Sequence, residues 1–358
     1  LHYPLRRQRQ MCIRDRIIED AMKKFIPKKM DQKYIDWLMG PHRYKYNIEA
    51  LNKTLSEPIW DYLDRGGKRL RPALFLLLTE VLGGDVEKVK DFAAVVELLH
   101  NGSIMVDDIE DDSDLRRGKP CTHKAFGIDI AINAGNYMYF AAYGALIESS
   151  GKFPPETMLR AYNAIAREMI IIHTGQGMDI AWHNGLADAD NISEEEYLQM
   201  CANKTGVLLR LSARLAAIFS GKDDKTEENL AEFAESIGIA FQIQDDIMNL
   251  APTRKWGKEI GDDINEGKRT LIVLHTLKEA TSGDRERLLE ILKMHTKDQK
   301  IILEAIEIMK KYDSLNYAKE FARKIIKESW ERIDPLLEES GSKTELKKLA
   351  EYLVERDI

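Results

Sequence analysis

The stretch LLHNGSIMVDDIEDDSDLRRGKPCTH, residues 98–123, carries six acidic residues in positions 107–114 and then two arginines and a lysine. An apolar run with helical spacing leads into the acids. Asp107 and Asp111 are four residues apart, so on a helix their side chains share one face, with about 5–6 Å between Cβ atoms. Such like charges repel, and acids at a helix C-terminus also oppose the helix dipole. The stretch therefore predicts a divalent cation site, and oxygen ligands without His or Cys favour Mg²⁺. The alternative is a charged, solvated helix end.

A second acidic cluster lies in residues 241–250, FQIQDDIMNL. Asp245, Asp246 and Asn249 repeat the DDxxD spacing of the first cluster, with Asn in the last place. Each cluster ends a long apolar helix and is followed by basic residues. Two clusters of oxygen ligands suggest a diphosphate bridged by metal ions between them.

Length and composition indicate an ordinary globular chain. At 358 residues it can bury a sizeable core, and 44% of its residues are hydrophobic and 32% charged. The net charge of −7 argues against general attraction to nucleic acid or to an anionic membrane. Three cysteines without a CxxC pair fit a reducing compartment. No apolar run of about 18 residues and no signal peptide is visible, so we expect a cytoplasmic protein without a membrane span.

The first 16 residues, LHYPLRRQRQMCIRDR, differ from the rest of the chain. They contain five Arg and one Asp and show no apolar helical face. They resemble translated adapter sequence, and we expect residues 1–16 to be an artefactual or disordered extension of a domain spanning residues 17–358. A basic, disordered targeting arm is the alternative.

Helical periodicity from residue 17 onward predicts a single all-α domain with helices around a central cavity. We expect helices over Tyr46–Leu63 and Ile128–Glu148, the second in the interior or at a subunit interface. Ser193 and Glu196 form the sequence pattern of a capping box, which predicts that a helix begins there.

Two short motifs supply groups suited to phosphate binding. GGKRLRP, residues 66–72, has two glycines that free the backbone and three cationic side chains, although a solvated basic turn would look the same. Lys204-Thr205-Gly206 interrupts a helix and favours a kink that frees a backbone carbonyl, with a simple bend as the alternative.

Three further side chains support the second acidic cluster. Gln242 lies three residues before Asp245 and would face the same cavity, unless it makes a structural amide hydrogen bond. Lys258 and Lys268, in GKEIGDDINEGK, flank a pair of aspartates. Because loop lysines are usually solvated, these two indicate a binding site only in combination with the other motifs.

Taken together, the motifs resemble the trans-prenyl diphosphate synthases, the family of farnesyl and geranylgeranyl diphosphate synthases. The resemblance runs from about Tyr46 to the end of the chain. Its elements stand in the family's order: GGKRLRP, LLH, DDIED with SDLRRG, KTG, FQIQDD and GK…DDINEGK. LLHNGSIMVDDIEDDSDLRRG, INAGNYMYF and HTGQGMDIAWHN look most like geranylgeranyl diphosphate synthases of the eukaryotic type. Members of that branch also tend to carry Asn where Asn249 stands.

The resemblance implies an isoprenoid-synthase-type helical bundle that joins isopentenyl diphosphate head to tail to allylic diphosphates through a carbocation. It also implies a homodimer or higher homo-oligomer. Two or three Mg²⁺ ions per site would be bound by Asp107, Asp111 and Asp245, with Asp108, Asp246 and Lys204 as further catalytic residues. The residues implied for the allylic diphosphate are Arg116, Lys204, Thr205, Gln242, Lys258 and Lys268. Those implied for isopentenyl diphosphate are Lys68, Arg71, His100 and Arg117.

Product length would follow from the depth of the apolar cavity. Gly102 and Ser103, just before the first aspartates, are small where shorter-chain synthases often place an aromatic floor. The resemblance implies a deeper floor at Tyr139, Phe140 and His173, which favours the C20 product, geranylgeranyl diphosphate. Ordinary core packing would explain the same three residues. Longer-chain and farnesyl diphosphate synthases are the competing functions.

Two more distant functions fit the residues less well. A terpene cyclase would share the DDxxD motif and the all-α fold, but it has no use for the second diphosphate pocket that GGKRLRP and His100 indicate. A non-catalytic partner subunit of a heteromeric synthase usually loses the aspartates, and this chain keeps them.

Overall fold

The computed structural model describes the backbone of residues 3–250 and 261–354. Within these ranges the regular structure is α-helical apart from one two-stranded hairpin, which confirms the all-α class. None of the helices described there is long and apolar enough to cross a membrane. The chain divides into two compact units, Leu1–Asn163 with Leu215–Lys222, and Ala164–Arg214 with Asp223–Ile358.

The first unit holds ten helices and the hairpin of the described chain. They are α1 (Tyr3–Phe25), α2 (Gln32–Met39), α3 (Ile48–Leu51), α4 (Glu57–Leu63), α5 (Leu70–Val81), α6 (Val86–Val89), α7 (Ala93–Glu110), β1 (Leu115–Arg116), β2 (Lys119–Pro120), α8 (Thr122–Phe126), α9 (Ile128–Ala141) and α10 (Gly144–Glu148).

The remaining helices follow in chain order, and the first and third of them also contribute residues to the first unit. They are α11 (Pro155–His183), α12 (Glu194–Cys201), α13 (Val207–Phe219), α14 (Asp224–Leu250), α15 (Asp262–Asn265), α16 (Leu271–Glu279), α17 (Ser282–Met294), α18 (Gln299–Lys311), α19 (Ser314–Ile333) and α20 (Gly341–Val354).

The core of the first unit is built around α7, which packs against α1, α5 and α9. Residues 93–99 of α7 and residues 74–78 of α5 are all buried. Phe92, just before α7, stacks on Phe219 with ring centroids 4.0 Å apart. Full burial of one such side chain contributes about 1.5–3 kcal/mol, so the start of α7 is firmly fixed and its acidic end is held by a rigid element.

In the second unit α14 is the central helix, packed against α19, α20 and α12. Phe233 on α14 meets Trp330 on α19 edge to face, with centroids 5.7 Å apart. The capping box at the start of α12 is confirmed: Glu196 N–H donates to Ser193 Oγ at 3.1 Å, and Ser193 N–H donates to the Glu196 carboxylate at 2.8 Å.

Two predicted helices are less regular than periodicity suggested, and one predicted interruption is confirmed. The helix expected over Tyr46–Leu63 begins at Ile48 and passes through a π-helical turn at Asn52–Ser56. The helix expected over Ile128–Glu148 ends at Ala141 and resumes at Gly144 as α10. The interruption at Lys204-Thr205-Gly206 is a second π-helical turn, Ala202–Gly206, between α12 and α13.

Helix α1 covers most of the segment that composition set apart from the fold. Arg14 is 8% exposed, and its guanidinium donates to Glu80 at 2.8 Å. Ile18, Met22 and Phe25 continue the helix into the core. The origin of residues 1–16, and the domain boundary at residue 17, stay predictions.

Candidate active site

The first acidic cluster ends α7 in a helix-terminating turn. Ser113 N–H donates to the Asp108 carbonyl and Asp112 N–H to the Ile109 carbonyl, while Asp112 has φ 46°. This is the Schellman pattern, with the left-handed residue at its usual place. Asp111 N–H still donates to the Asp107 carbonyl at 2.9 Å. The two side chains therefore lie on one helical face, as the spacing predicted.

The three aspartates of this cluster differ in environment. Asp107 is half-buried and Asp111 is exposed, whereas Asp108 is 1% exposed. Arg116 donates to Asp108 Oδ1 from Nε at 2.8 Å and from Nη2 at 2.5 Å. Asp108 is thus committed to an ion pair, and only Asp107 and Asp111 face outward together.

Arg116 and its neighbour Arg117 are placed by the hairpin of β1 and β2. Leu115 pairs with Pro120 and Arg116 with Lys119. The two loop residues, Arg117 and Gly118, have φ of 53° and 75°. Positive φ at both central positions is the pattern of a type I′ turn, which matches the twist of paired strands.

Three of the four residues predicted to bind isopentenyl diphosphate lie close together in the first unit. Arg71 Nη1 is 3.0 Å from His100 Nε2. Burial lowers the pKa of His100 well below its usual range, and the nearby cations Arg71 and Arg117 lower it further. His100 is therefore neutral and accepts the hydrogen from Arg71. Arg117 borders Gly67, since a Cβ there would stand 3.0 Å from Arg117 Nη2.

The other cations of GGKRLRP take different directions. Lys68 is exposed beside Gly67. Arg69, in a left-handed conformation at φ 45°, donates to the Asp15 carbonyl at 3.0 Å on α1. The motif therefore contributes Arg71 to the cluster with His100, while Arg69 ties α5 to α1.

The second acidic cluster, on α14, also has a buried middle aspartate. Asp246 is 5% exposed and accepts hydrogen bonds from Tyr197 Oη at 2.6 Å and from Gln242 Nε2 at 2.9 Å. Burial, and then the Asp263 carboxylate, raise the pKa of Asp246 to about 8. Asp245 is only half-buried. Sequence reasoning missed Tyr197, since no spacing rule connects it to an acid 49 residues further on.

Asn249, which replaces the last aspartate of the pattern, binds the start of α15. Its Oδ1 accepts from Asp263 N–H at 3.2 Å, and its carbonyl accepts from Gly261 N–H at 3.0 Å. The side-chain amide of Asn249 thus caps the start of α15 without adding a negative charge beside Asp245.

The π-helical turn at Ala202–Gly206 carries two predicted residues, and one of them, Thr205, reaches this cluster through Gln242. Thr205 Oγ1 donates to Gln242 Oε1 at 2.9 Å. Lys204 Nζ donates to Asp179 Oδ2 on α11 at 2.5 Å. Isolated π-helical turns occur frequently at functional sites. Asp179 lies in the HTGQGMDIAWHN segment and was not identified from sequence as a partner of Lys204.

Lys268 lies near carboxylates at and after the start of α15. Its Nζ lies 3.5 Å from Asp263 Oδ1 and also contacts Glu266. Burial alone would lower the pKa of Lys268, but the carboxylates of Asp263 and Glu266 raise it overall, so this lysine is fully charged at neutral pH. Lys258, predicted for the same role, lies outside the described residues.

The three residues predicted to form the cavity floor differ in exposure. Tyr139 is half-buried, and its ring occupies the space in front of Gly102, where a Cβ would stand 3.1 Å from Tyr139 Cδ1. The small residue that was expected to open the cavity thus has an aromatic ring packed on it. Phe140 is 73% exposed. His173 is exposed, and its Nδ1 donates to the Met169 carbonyl at 2.7 Å.

The outward carboxylates of the two clusters suit a cation that takes most of its ligands from water and substrate. Among residues 3–250 and 261–354, no group of three or more His, Cys, Asp or Glu side chains is arranged to hold a metal ion. Mg²⁺ commonly binds through one or two carboxylates and completes its octahedron with water and substrate phosphates. The pair Asp107 and Asp111 fits that mode, as does Asp245, because the middle aspartate of each cluster is buried instead.

Comparison with known proteins gives a consistent result. The family model described as polyprenyl synthetase matches residues 52–309. A geranylgeranyl pyrophosphate synthase of the archaeon Geoglobus acetivorans is 38% identical, covering 83% of this chain and 89% of that protein. The geranylgeranyl pyrophosphate synthase olcC of the fungus Penicillium canescens is 35% identical, over 81% of each chain.

A solved structure shows the same architecture. The geranylgeranyl pyrophosphate synthetase from Pyrococcus horikoshii Ot3 matches with a TM-score of 0.84 and 32% identity, covering 97% of this chain and 98% of that one. Because archaeal and fungal relatives match with comparable identity, the likeness to the eukaryotic branch stays a prediction.

Proposed function

This chain belongs to the polyprenyl synthetase family, and we propose that it condenses isopentenyl diphosphate with allylic diphosphates to make geranylgeranyl diphosphate. It is a prenyltransferase, as its relatives over more than four fifths of the chain indicate. The activity is that of a geranylgeranyl diphosphate synthase.

One observation favours a two-substrate condensation over an enzyme that ionises a single diphosphate. The first unit holds Arg71, His100 and Arg117 together, in addition to the acidic pair of α7. Two guanidinium groups beside a neutral imidazole are suited to a diphosphate that carries no metal, because they supply charge and directed donors. A terpene cyclase, with one diphosphate to bind, has no need of this second set.

Asp107, Asp111 and Asp245 would hold two or three Mg²⁺ ions. When bound, these ions would neutralise the diphosphate leaving group and so favour its departure. The half-buried or exposed position of all three carboxylates supports this assignment. Asp108 and Asp246 are then positioning acids, since their oxygens already accept hydrogen bonds from Arg116, Tyr197 and Gln242.

The cationic and amide side chains of the second unit would bind the allylic diphosphate. Thr205, Gln242 and Lys268 are linked to the acidic cluster of α14 directly or through one partner, and Lys204 binds Asp179 on α11. Arg116 and Lys258 are assigned to the same substrate from the sequence. Together they would stabilise the charge that grows on the leaving diphosphate.

The proposed chemistry is a head-to-tail condensation through a carbocation. The allylic C–O bond breaks, its electron pair leaves with the diphosphate, and an allylic carbocation remains. The double bond of isopentenyl diphosphate, held by Arg71, His100 and Arg117, attacks this cation and forms the new C–C bond. Loss of one proton restores a double bond, and the released diphosphate is its nearest base. Water would capture the cation, so the apolar surroundings must exclude it.

Product length would be set by the ring packed on Gly102. A Cβ on Gly102 would stand 2.9 Å from the Gly135 carbonyl oxygen and 3.1 Å from Tyr139 Cδ1, so the Tyr139 ring packs on this glycine. Tyr139→Ala should therefore release longer products than C20. Phe140→Ala is the matched control on the adjacent position, because its side chain is 73% exposed in the single chain and should alter product length less.

The exposed face of α9 supports a homodimer. Ile128, Ile132 and Phe140 stand four or eight residues apart and are 57%, 42% and 73% exposed. An apolar stripe of this kind on a soluble domain commonly marks a contact with another chain. Ile132→Lys should weaken the dimer, as sedimentation at decreasing protein concentration would measure.

Product analysis tests the proposed function directly. Purified protein would be incubated with isopentenyl diphosphate, Mg²⁺ and, separately, C5, C10 and C15 allylic diphosphates, with EDTA as the control. Products ending at C20, lost with EDTA, would support the proposal. Products well beyond C20 would assign a longer-chain synthase, and diphosphate release without elongation would assign a cyclase. A cytoplasmic location and the absence of nucleic-acid binding stay predictions.

A further inference from the structure

The Arg117 side chain contacts two residues that have no assigned role. Its backbone, with φ 53°, is set by the turn between β1 and β2. Its guanidinium is held by two contacts, one with the ring of Tyr62 on α4 and one with the amide of Asn101 on α7.

The contact with Tyr62 uses the face of its ring. The guanidinium carbon of Arg117 lies 4.9 Å from the ring centroid, and that of Arg65 lies 5.6 Å from it. Tyr62 is fully buried, and its hydroxyl has no hydrogen-bond partner within the described parts of the chain. Burial raises the pKa of Tyr62 to about 12, so the phenol is neutral. Its interaction with Arg117 therefore comes from the π-system, which attracts a guanidinium within about 6 Å.

In the contact with Asn101, the orientation of the side-chain amide is fixed by Glu97. Asn101 is 1% exposed, and its Nδ2 donates to the Glu97 carbonyl at 2.7 Å and to Glu97 Oε1 at 3.0 Å. Its Oδ1 must then point the other way, where it accepts from Arg117 Nη2 at 3.2 Å. Glu97 is itself buried, and it orients the amide rather than Arg117 directly.

We infer that Tyr62 and Asn101 are positioning residues that fix the Arg117 guanidinium for isopentenyl diphosphate, an inference that rests on the proposed function. A long side chain that is already ordered loses less conformational freedom when it binds its ligand. The pair therefore acts on the affinity for the metal-free diphosphate and leaves the ionisation of the allylic substrate almost unchanged.

Steady-state kinetics with a double-mutant cycle test this. Tyr62→Phe keeps the ring, and its KM for isopentenyl diphosphate should stay within about twofold of wild type. Tyr62→Leu removes the π-face and should raise that KM about tenfold, with kcat and the allylic KM within about threefold. In an Arg117→Ala background, Tyr62→Leu should give no further rise, because the partner through which it acts is gone.

Two results would overturn the inference while leaving the proposed function intact: a wild-type KM in Tyr62→Leu, or an equal rise with and without Arg117. A wild-type enzyme that makes no prenyl product from isopentenyl diphosphate would instead remove the proposed function and this inference with it. Tyr62→Met, whose longer and flexible side chain can adapt to the buried space without a ring, replaces Tyr62→Leu in the same cycle if the leucine variant does not fold.

Discussion

The two acidic clusters share a sequence pattern, but different groups bind the buried middle aspartate in each. On α7, Asp108 is buried and bound twice by the guanidinium of Arg116. On α14, Asp246 is buried and bound by two neutral groups, the Tyr197 hydroxyl and the Gln242 amide. In both clusters a neighbouring aspartate remains more accessible, Asp107 in the first and Asp245 in the second.

The difference shows that one sequence pattern can combine a binding role with two distinct structural roles. The buried carboxylate of the first cluster forms an ion pair, and it fixes the basic hairpin that carries Arg116. In the second cluster, burial and the nearby Asp263 carboxylate raise the pKa of Asp246, so this group is held protonated near neutral pH. Asp246 then links α12 and α14 without adding a negative charge beside Asp245.

The largest expected effect is a loss of turnover when an outward aspartate is removed. Asp107→Ala should lower turnover at least about 100-fold while the fold is retained, because the variant loses one carboxylate of the pair that binds the cation. Turnover with saturating Mg²⁺ and circular dichroism would measure both properties.

Asp112→Ala is the matched control for this substitution. Asp112 lies at the same end of α7, but its side chain is exposed and bound to Lys124 at 2.7 Å. Equal losses in the two variants would mean that the helix end as a whole is sensitive, and the specific role of Asp107 would be lost.

A smaller effect is expected when the ion pair of the first cluster is neutralised. Asp108→Asn should lower the free energy of unfolding by about 2 kcal/mol, since it leaves the guanidinium of Arg116 without its carboxylate. The estimate is below that for a fully buried pair because the Arg116 side chain is 33% exposed. Urea denaturation would measure it, and a change below about 0.5 kcal/mol would mean that the pair is not structural.

The same substitution in the second cluster should cost less. Asp246→Asn is uncharged like the protonated acid: its amide oxygen can accept from Gln242 Nε2, and its NH₂ can donate to Tyr197 Oη, which in the wild type donates to Asp246 Oδ2. We expect a loss below about 1 kcal/mol near pH 7. A loss as large as that of Asp108→Asn would show that Asp246 is a charged group like its counterpart, and the contrast between the clusters would fail.

The last prediction is a pH dependence of that second substitution in metal-free protein. Asp246 has a folded pKa of about 8, above the unfolded value of about 3.9. Its contribution is therefore complete below the unfolded pKa and is lost as the pH rises toward 8. The stability of wild type relative to Asp246→Asn should fall from pH 5 to pH 8. A rise over that range would contradict a raised pKa.

Much of the fold was predictable from local pattern. Three signals each span only a short stretch of sequence, and each has its counterpart in the structure. A helix ends after the apolar run before Asp107, a helix begins at the capping box of Ser193, and a π-helical turn lies at Lys204-Thr205-Gly206. The shared face of Asp107 and Asp111 follows from helical spacing alone.

The division of roles within each cluster was not predictable in this way. Which aspartate of a cluster is buried depends on how the helix packs. One partner of Asp246, Tyr197, comes from a different helix, α12. Likewise, the sequence makes Arg69 and Arg71 look equivalent, whereas Arg69 contacts α1 and Arg71 contacts His100. Side-chain direction of this kind is fixed by tertiary contacts, which no short-range spacing encodes.

The Mg²⁺ dependence of turnover tests the central claim most directly, namely that the outward aspartates hold the ions and the buried ones hold the structure. Asn variants at positions 107, 111, 245, 108 and 246 would be compared at increasing Mg²⁺ and fixed substrate. We expect Asp107→Asn, Asp111→Asn and Asp245→Asn to need at least about tenfold more Mg²⁺ for half-maximal turnover, and Asp108→Asn and Asp246→Asn to stay near the wild-type value. A shift in Asp246→Asn as large as that in Asp245→Asn would contradict the claim.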